Sequence, residues 1–418
     1  MVMTRETAPP LVARRAWLGA GLALAAVGWG ANQFSPLIVM YQARLGLSAA
    51  VADAMFGLYA LGLVPALLAG GRLSDRIGRR AVVMPALLTS FLATCLLMAG
   101  GHQPLLLYAG RFLAGVASGL AFGTGAAWVK ELSADAGDRT AGPRRATVAM
   151  TAGFAAGPLA AGACAQWLPS PTVTAYLPHL AVLIAAIAPA WRTPDPARIA
   201  ATSSVSSAQI AGAGRPRGLA RHFLLVMLPF APWVFGTAAI ALAYLPALAA
   251  PRVGHQALLF SALAAGLAAL AGIAAQPLTR LVRRLPSGQL LPASMAPVLA
   301  GIGCAAWAAD TLSLPLVFLA SAVLGTGYGI TQFAGLAEVQ RIAAPRSLGA
   351  VTATYQVLSY TGFAFPFLLS LASAHQHLSP LGLLLLLLGV AAIATAWLAI
   401  VTIRLRPAGS REPAPPLA

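Results

Sequence analysis

The chain has 418 residues, of which 59% are hydrophobic and 9% are charged, and its mean hydropathy is +0.80. A soluble globular domain carries about 25% charged residues, so this composition excludes that class and indicates a membrane protein. The net charge of +17 does not indicate a nucleic-acid partner, because the basic residues lie between apolar runs and form no patch.

Twelve apolar runs follow one another along the chain, each near the length of about 20 residues that a helix needs to cross a bilayer. No run alternates with the period of a strand, so helices are the predicted spanning element. The predicted spans, numbered 1 to 12 in chain order, are 17–41, 51–70, 81–100, 105–129, 146–168, 173–191, 222–248, 256–279, 288–308, 312–336, 348–371 and 380–403.

The basic residues predict the orientation of the spans. Of the 27 Lys and Arg residues, 24 lie in the termini and in the loops that follow spans 2, 4, 6, 8 and 10. Only Arg44 and Arg252 lie in the opposite loops, and Arg111 lies within span 4. Because loops rich in Lys and Arg stay in the cytoplasm, both termini are predicted to be cytoplasmic. We expect a multi-pass protein of the bacterial inner membrane.

A stretch rich in Ser, Gly, Pro and Arg divides the chain. Residues 192–221 have the composition of a linker and are predicted to be cytoplasmic. The halves 17–191 and 222–403 then hold six spans each, between cytoplasmic tails at 1–16 and 404–418.

The halves show a weak internal repeat. A shift of 204 residues places Trp29 on Trp233, and a shift of 207 places Glu131 on Glu338. The first shift also places three arginines of the first half, Arg76, Arg79 and Arg80, on Arg280, Arg283 and Arg284.

The most distinctive stretch is Gly-Arg-Leu-Ser-Asp-Arg-Ile-Gly-Arg-Arg at 71–80, between spans 2 and 3. Its two glycines are interpreted as allowing a tight turn and close packing. The string resembles G-x-L-x-D-R-x-G-R-R, the loop 2–3 signature of the major facilitator superfamily. The matching residues are Gly71, Leu73, Asp75, Arg76, Gly78, Arg79 and Arg80.

The resemblance implies an all-α membrane protein whose twelve transmembrane helices form two pseudo-symmetric six-helix bundles, the major facilitator fold. It implies a small-molecule site between the halves near the middle of the membrane. It also implies that 71–80 is a conformational gate. Asp75 is expected to dock near Ser347 at the start of span 11 in the outward-facing state, and the arginines are expected to pair with Glu131.

A mirrored contact in the second half, Glu338 with Arg280 or Arg283, is our own addition to that expectation. Both contacts are expected to break when the cavity opens inward. The sequence leaves open a pair of Glu338 with Arg341.

Span 4 carries Arg-Phe-Leu-Ala-Gly from Arg111, which is similar to the R-x-x-x-G motif of the superfamily. An arginine within a span costs about 2.5–3.5 kcal/mol on insertion scales, so it needs partners. Candidates are Asp53, Asn32 and Gln33. Alternatively, Arg111 extends to the outer interface.

Span 5 carries Gly153, Gly157, Pro158 and Gly162 at a spacing that lets helices approach closely. The string resembles G-x-x-x-G-P-x-x-G-G of the drug/proton antiporter branch, with Ala161 in place of the penultimate glycine. The resemblance implies a hinge and seal between the halves that favours export. The alternative is ordinary packing of small residues.

Polar and aromatic residues near the middle of the spans are candidates for a substrate cavity, because the resemblance implies that spans 1, 4, 7 and 10 line the pathway. The apolar and aromatic composition of the rest of the wall favours amphipathic or aromatic compounds over sugars. The candidates are Trp29, Asn32, Gln33, Tyr108, Trp233, Thr237, Tyr328, Gln332, Tyr355, Gln356 and Tyr360.

No phosphate-binding glycine loop, catalytic motif or set of metal ligands occurs in the sequence. We therefore expect neither an enzyme nor a cofactor, and no direct use of ATP. A proton gradient could drive transport, and Asp53 and Glu338 are the acids nearest to mid-span.

The predicted function is secondary active export of small amphipathic or hydrophobic molecules by alternating access, with proton antiport implied by span 5. We expect a monomer. The alternatives are an uptake carrier (a symporter or uniporter), a membrane receptor that no longer transports and a membrane enzyme.

Overall fold

A computed structural model of the chain describes residues 15–101, 103–133, 141–195, 219–279, 285, 288–343, 348–376 and 378–404. All regular elements in these residues are helical. The helices in chain order are α1 Trp17–Leu45, α2 Ala49–Ile77, α3 Arg79–Ala99, α4 Pro104–Leu132, α5 Ala141–Trp167, α6 Pro171–Arg192, α7 219–253, α8 Ala257–Ala274, α9 Leu290–Thr311, α10 Leu314–Ile342, α11 348–376 and α12 Pro380–Arg404.

The described helices form eleven apolar segments long enough to cross a membrane, and one of them contains two crossings. The segment Leu219–Leu278 has 60 residues, whereas the others have at most 29. A straight helix of that length would be about 90 Å long, although a bilayer core is about 30 Å thick. Gly254, at φ 55° and ψ −123°, ends α7 before α8 begins. The twelve predicted crossings are therefore present.

Several crossings are interrupted at prolines or tight turns. Residues 33–37 separate the two helical parts of α1, Trp17–Asn32 and Ile38–Leu45. In α11 a short 3₁₀ turn, Thr361–Ala364, precedes Pro366. α7 contains two π-helical turns, each followed within two residues by a proline, which cannot donate a backbone hydrogen bond.

The two halves use the same close helix contact. A Cβ added to Gly115 of α4 would lie 2.0 Å from the carbonyl oxygen of Tyr59 on α2. A Cβ added to Gly325 of α10 would lie 2.1 Å from the carbonyl oxygen of Ala268 on α8. Small residues thus bring α2 onto α4 and α8 onto α10, which are equivalent helices in the two six-helix bundles.

Contacts between the halves are made by α5 with α8 and by α2 with α11. We call the end of the molecule that holds residues 71–80 the loop end, and the end that holds Asp53 the opposite end. Asp53 lies 18 residues before Gly71 on α2, about 27 Å along the helix axis.

Candidate transport cavity and gate residues

A cavity lies between the two halves. Each half contributes an aromatic pair to its wall: Phe122 with Phe154 in the first, and Phe235 with Tyr360 in the second. Phe235 and Tyr360 stack with centroids 4.2 Å apart. The described residues of the wall are Asn32, Tyr59, Phe122, Thr151, Phe154, Phe235, Ala238, Leu242, Ala268, Ala269, Gly325, Tyr328 and Tyr360.

Three of the residues predicted for the cavity, Asn32, Tyr328 and Tyr360, belong to this wall. The sequence analysis missed Tyr59, which lies on span 2, outside the spans expected to line the pathway, and it missed the phenylalanines, which carry no polar group. A search for aromatic residues at mid-span in all helices would have found them. The other predicted cavity residues lie outside the wall: Trp29, Gln33, Tyr108, Trp233, Thr237, Gln332, Tyr355 and Gln356.

Several of these residues form structural hydrogen bonds instead. Gln33 is fully buried, and its Nε2 lies 2.9 Å from Nδ1 of His179 on α6. Trp233 Nε1 donates to the carbonyl of Pro229, and Thr237 donates to the carbonyl of Val234. The Gln33 amide nitrogen, the Trp233 indole and the Thr237 hydroxyl are thus held by hydrogen bonds within or between helices.

The remaining predicted residues have different surroundings. Tyr108 donates to the carbonyl of Val51 at 3.4 Å, and Tyr355 is fully buried beside Gly335. Trp29, Gln332 and Gln356 each hold a buried polar atom that has no hydrogen-bond partner in the described part of the chain.

Arg111 on α4 is 1% exposed and enclosed by aromatic rings. Its guanidinium carbon lies 5.1 Å from the Phe34 ring centroid, 5.3 Å from that of Phe56 and 4.6 Å from that of Tyr59. Carbonyl oxygens and ring faces offset part of the cost of burying the charge.

The predicted partners of Arg111 were wrong, and so was its extension to the interface. Its Nε donates to the carbonyl of Met55 at 3.4 Å, and its Nη1 donates to the carbonyl of Ala31 at 3.2 Å. Among the described residues, no carboxylate oxygen lies within 4.0 Å of the guanidinium. The turn after Asn32 brings the carbonyl of Ala31 into reach, a feature that residue spacing does not reveal.

Asp53 connects the halves at the opposite end. Ser370 Oγ on α11 donates to Asp53 Oδ2 at 2.5 Å, and both residues are buried. Asp53 Oδ1 has no hydrogen-bond partner among the residues that the structure describes. Gln166 Nε2 on α5 donates to the carbonyl of His255 at 2.7 Å and makes a second contact between the halves. Both hydrogen bonds hold the halves together at this end.

The glycines of α5 contact two different helices. A Cβ on Gly153 would lie 2.1 Å from the carbonyl oxygen of Ala25 on α1, and one on Gly157 would lie 2.5 Å from that of Trp29. A Cβ on Gly162 would lie 2.3 Å from Ala262 Cβ on α8, in the other half. Pro158 lies within the helix between these contacts.

At the loop end, Gly78 and Asp195 form one unit. Gly78 has φ 98° and ψ 160°, a conformation that is essentially restricted to glycine. The Asp195 carboxylate accepts hydrogen bonds from the backbone N–H of Arg79 at 3.1 Å and of Arg80 at 2.9 Å. It therefore caps the N-terminus of α3.

The start of the predicted linker, directly after α6, is packed against the first half. Asp195 is 6% exposed, and Trp128 Nε1 donates to the carbonyl of Pro194 at 2.7 Å. The sequence analysis missed Asp195 because it was placed in the linker. The residues around Asp195 do not indicate that its carboxylate contacts the N-terminus of α3, which lies far away in the sequence.

The arginines of 71–80 make contacts within the first half. Arg79 Nη2 lies 2.9 Å from Glu131 Oε1, and Arg79 Nη1 lies 2.5 Å from Asp75 Oδ1. Arg80 Nη1 donates to the carbonyl of Trp191 at 2.8 Å. These contacts hold the loop but do not join the halves.

The other residues of the stretch are less constrained. Leu73 and Arg76 are exposed. Gly71 lies inside α2 with open space around an added Cβ, so the interpretation as a close-packing glycine was wrong. The expected contact of Asp75 with Ser347 lies outside the described residues.

Glu338 pairs with Arg341, the alternative that the sequence left open. Arg341 Nε lies 2.8 Å from Glu338 Oε2, and His222 Nε2 lies 2.8 Å from Glu338 Oε1. Arg280 and Arg283 lie outside the described residues.

Residues 18–366 match the family description of the Major Facilitator Superfamily. The chain belongs to this superfamily. It is an integral membrane transporter and not an enzyme. No curated protein sequence is similar to it.

Solved transporters share this fold. The POT family transporter PepTSo is 13% identical, with a TM-score of 0.73 over 94% of this chain and 98% of that one. A D-xylose-proton symporter is 16% identical, with a TM-score of 0.67 over 94% and 97%. The nucleoside transporter NupG is 12% identical, with a TM-score of 0.66 over 93% and 99%.

Proposed function

We propose that this transporter exports small amphipathic or aromatic molecules in exchange for protons. The observation that carries the proposal is the composition of the cavity wall. Six of its thirteen residues are aromatic, and no Asp, Glu, Lys, Arg or His is among them. A polar solute such as a sugar needs many hydrogen-bond partners when it leaves water, and this wall offers few.

The same wall contains enough polar groups to orient an amphipathic molecule. Asn32 offers an amide, while Tyr59, Tyr328 and Tyr360 offer hydroxyl groups. Thr151 Oγ1 already donates to the carbonyl of Thr147. A ring with one polar substituent could therefore bury its apolar surface and keep one or two hydrogen bonds.

The proposed orientation has the loop end and both termini in the cytoplasm of a bacterial cell. The arginine-rich loops support it, because basic loops stay inside. In that orientation the described state is closed toward the outside. Alternating access then requires the contacts at the opposite end to separate while the loop end closes.

Helix α5 supports export over uptake. Its glycines match the antiporter signature except at Ala161, and Gly162 packs directly on α8 of the other half. This contact could act as the proposed seal on the outer side of the cavity. Each chain holds a cavity between its own halves, so we also propose that a monomer is sufficient for transport.

Asp53 is the proposed proton-coupling group. It is 2% exposed and bonded to the other half through Ser370. A carboxyl group at this place is covered in the described state and would meet external water once the two halves separate there. Protonation can therefore be linked to the change of state, as antiport requires.

A transport assay in inverted membrane vesicles tests this function. The vesicles expose the cytoplasmic face, and an acid-inside pH gradient is imposed in the presence of a panel of fluorescent aromatic compounds. We expect accumulation of some compounds in the lumen, and loss of accumulation when an ionophore removes the gradient. Vesicles without the protein are the control.

Two results would contradict the proposal. Accumulation that is independent of the pH gradient would exclude proton antiport as the mechanism. Transport only in right-side-out vesicles, toward the cytoplasmic side and together with protons, would favour the uptake carrier that the sequence left as an alternative.

A further inference from the structure

The charges around the cavity bear on which substrates it accepts. No Asp, Glu, Lys, Arg or His belongs to its described wall. Tyr59 and Asn32, however, connect the wall to Arg111. The Arg111 guanidinium carbon lies 4.6 Å from the Tyr59 ring centroid, and its Nη1 donates to the carbonyl of Ala31, directly before Asn32. A positive charge is therefore buried immediately behind the wall.

This charge lacks a neighbouring carboxylate. In the described part of the chain, the ion pairs within 4.0 Å involve Arg79, His222 and Arg341 with acids at the loop end, and none involves Arg111. Carbonyl groups and aromatic rings carry only partial charges, so they do not cancel the field of the guanidinium. In an apolar region that field acts over longer distances than it does in water.

The acids of the described residues do not reverse this conclusion. Asp53, which is buried, is bonded to Ser370 and does not belong to the cavity wall. Asp75, Glu131, Asp195 and Glu338 hold partners at the loop end. Asp310 is exposed near the end of α9.

From this arrangement we infer the charge class of the substrate: a flat aromatic molecule that is neutral or carries one negative charge, such as a phenol or an aromatic carboxylate, and not an organic cation. The inference rests on the proposed function, because it assigns the ligand of the same cavity. The aromatic pairs of the two halves contact the ring, and Asn32 or a tyrosine hydroxyl bonds its polar group. Arg111 favours the anion through its field, without direct contact.

Three planar probes of the same size separate charge from shape: 2-naphthoate, 2-naphthamide and 2-naphthamidinium. Binding to the full-length protein is measured in nanodiscs of uncharged lipid, and binding to empty nanodiscs is subtracted. We expect naphthamidinium to bind at least about tenfold more weakly than naphthoate, with naphthamide between them.

Two variants test whether Arg111 sets this order. Arg111→Gln removes the charge and should bring the three affinities within about threefold of one another. Asn32→Asp adds a negative charge to the wall itself and should make naphthamidinium the tightest of the three. Gln289→Glu adds the same charge at an exposed position outside the wall; it is the matched control and should keep the wild-type order. If Arg111→Gln does not fold, the order of the three affinities in the wild-type protein still decides the inference.

Equal or tighter binding of naphthamidinium by the wild-type protein would overturn the inference, and so would a lack of binding by all three probes. Neither result decides whether the protein exports, because the vesicle assay uses a broad panel of compounds. Failure of that assay to show any pH-driven transport would instead overturn the proposed function and leave the measured order of affinities intact.

Discussion

At the scale of single residues, the backbone conformation and the surroundings of Gly78 explain why the stretch 71–80 needs a glycine at its eighth position. Two independent constraints meet there. The backbone has φ 98°, and a Cβ would lie 2.5 Å from Asp195 Oδ2. Gly71, by contrast, lies in a regular helix with free space around it. The two glycines of the string therefore have different structural roles.

The substitution Gly78→Ala should destabilise the protein. A side chain in this backbone conformation costs about 1–3 kcal/mol, and the methyl group would also displace the Asp195 carboxylate. The expected result is a lower Tm of the purified protein and reduced transport. Gly71→Ala is the matched control and should leave the Tm unchanged or slightly higher, since alanine favours a helix. Equal Tm values for both variants would contradict this account.

The substitution Asp195→Ala removes the acceptor for the N–H groups of Arg79 and Arg80. The loss of a helix cap costs about 0.5–2 kcal/mol, so the start of α3 should exchange its amide hydrogens faster. Hydrogen exchange followed by mass spectrometry measures this effect. Asp310→Ala, at an exposed position, should not change exchange in α3. Unchanged protection at residues 79–82 would show that the cap is dispensable.

At the scale of elements, α5 holds its own half together and also touches the other. Gly153 and Gly157 fit against α1, whereas Gly162 fits against α8. The first two contacts can persist through a rocking motion, because both helices belong to one half. The third must separate whenever the opposite end opens. The small residues of α5 thus form a permanent contact with α1 and a contact with α8 that changes with the state of the transporter.

The substitution Gly162→Val should prevent closure at the opposite end, because its Cβ would overlap Ala262. Closure is measured by cross-linking Gln166→Cys to His255→Cys with a short bifunctional thiol reagent, in a background where the three native cysteines are replaced by serine. We expect fast cross-linking without Gly162→Val and slow cross-linking with it. Gly389→Val, which has open space at its position, should cross-link normally. Fast cross-linking in Gly162→Val would refute the role of this contact.

The gate role of 71–80 stays a prediction at the same scale. Asp75 is 67% exposed in its side chain and pairs with Arg79 in the described state. If its carboxylate docks on α11 after a change of state, Asp75→Asn should reduce transport and leave membrane insertion intact. Flux in vesicles and protein in the membrane fraction are the two measurements. Arg72→Gln, at a variable position of the string, should transport normally. Wild-type flux from Asp75→Asn would end the gate hypothesis.

At the scale of the whole molecule, hydrogen bonds and aromatic rings of the described residues join the two halves. Asp53 with Ser370 and Gln166 with His255 lie at the opposite end, while Phe363 of α11 packs on Phe56 and Tyr59 of α2. Tilted and edge-to-face ring contacts and single hydrogen bonds can separate and re-form at low cost. Such an interface suits two bundles that move relative to each other.

The substitution Asp53→Asn should uncouple transport from the pH gradient. The amide can still bond Ser370, so the halves should still close, but it cannot take up a proton. We expect exchange of labelled for unlabelled substrate to continue, whereas accumulation driven by the gradient is lost. Ser370→Ala keeps the carboxyl group and should retain pH-driven accumulation. If Asp53→Asn still accumulated substrate in response to the pH gradient, another residue would have to couple transport to protons.

The sequence alone determined the membrane class, the twelve crossings and the superfamily. These follow from local properties: the length of each apolar run, the arginines between runs and the string at 71–80. A span is recognisable because the bilayer acts on every residue of it in the same way. The break at Gly254 falls in the predicted loop between spans 7 and 8, whereas the packed start of the linker at Asp195 was not visible at this level.

Only the tertiary structure decided which side chains share a space. Asn32, Tyr328 and Tyr360 line the cavity, while Gln33, equally polar and next to Asn32, is bonded to His179. The direction in which a buried side chain points depends on the rotation and tilt of its helix, and these are set by contacts with other helices. The aromatic cage of Arg111 and the cap formed by Asp195 depend in the same way on residues far apart in the chain, which no local pattern specifies.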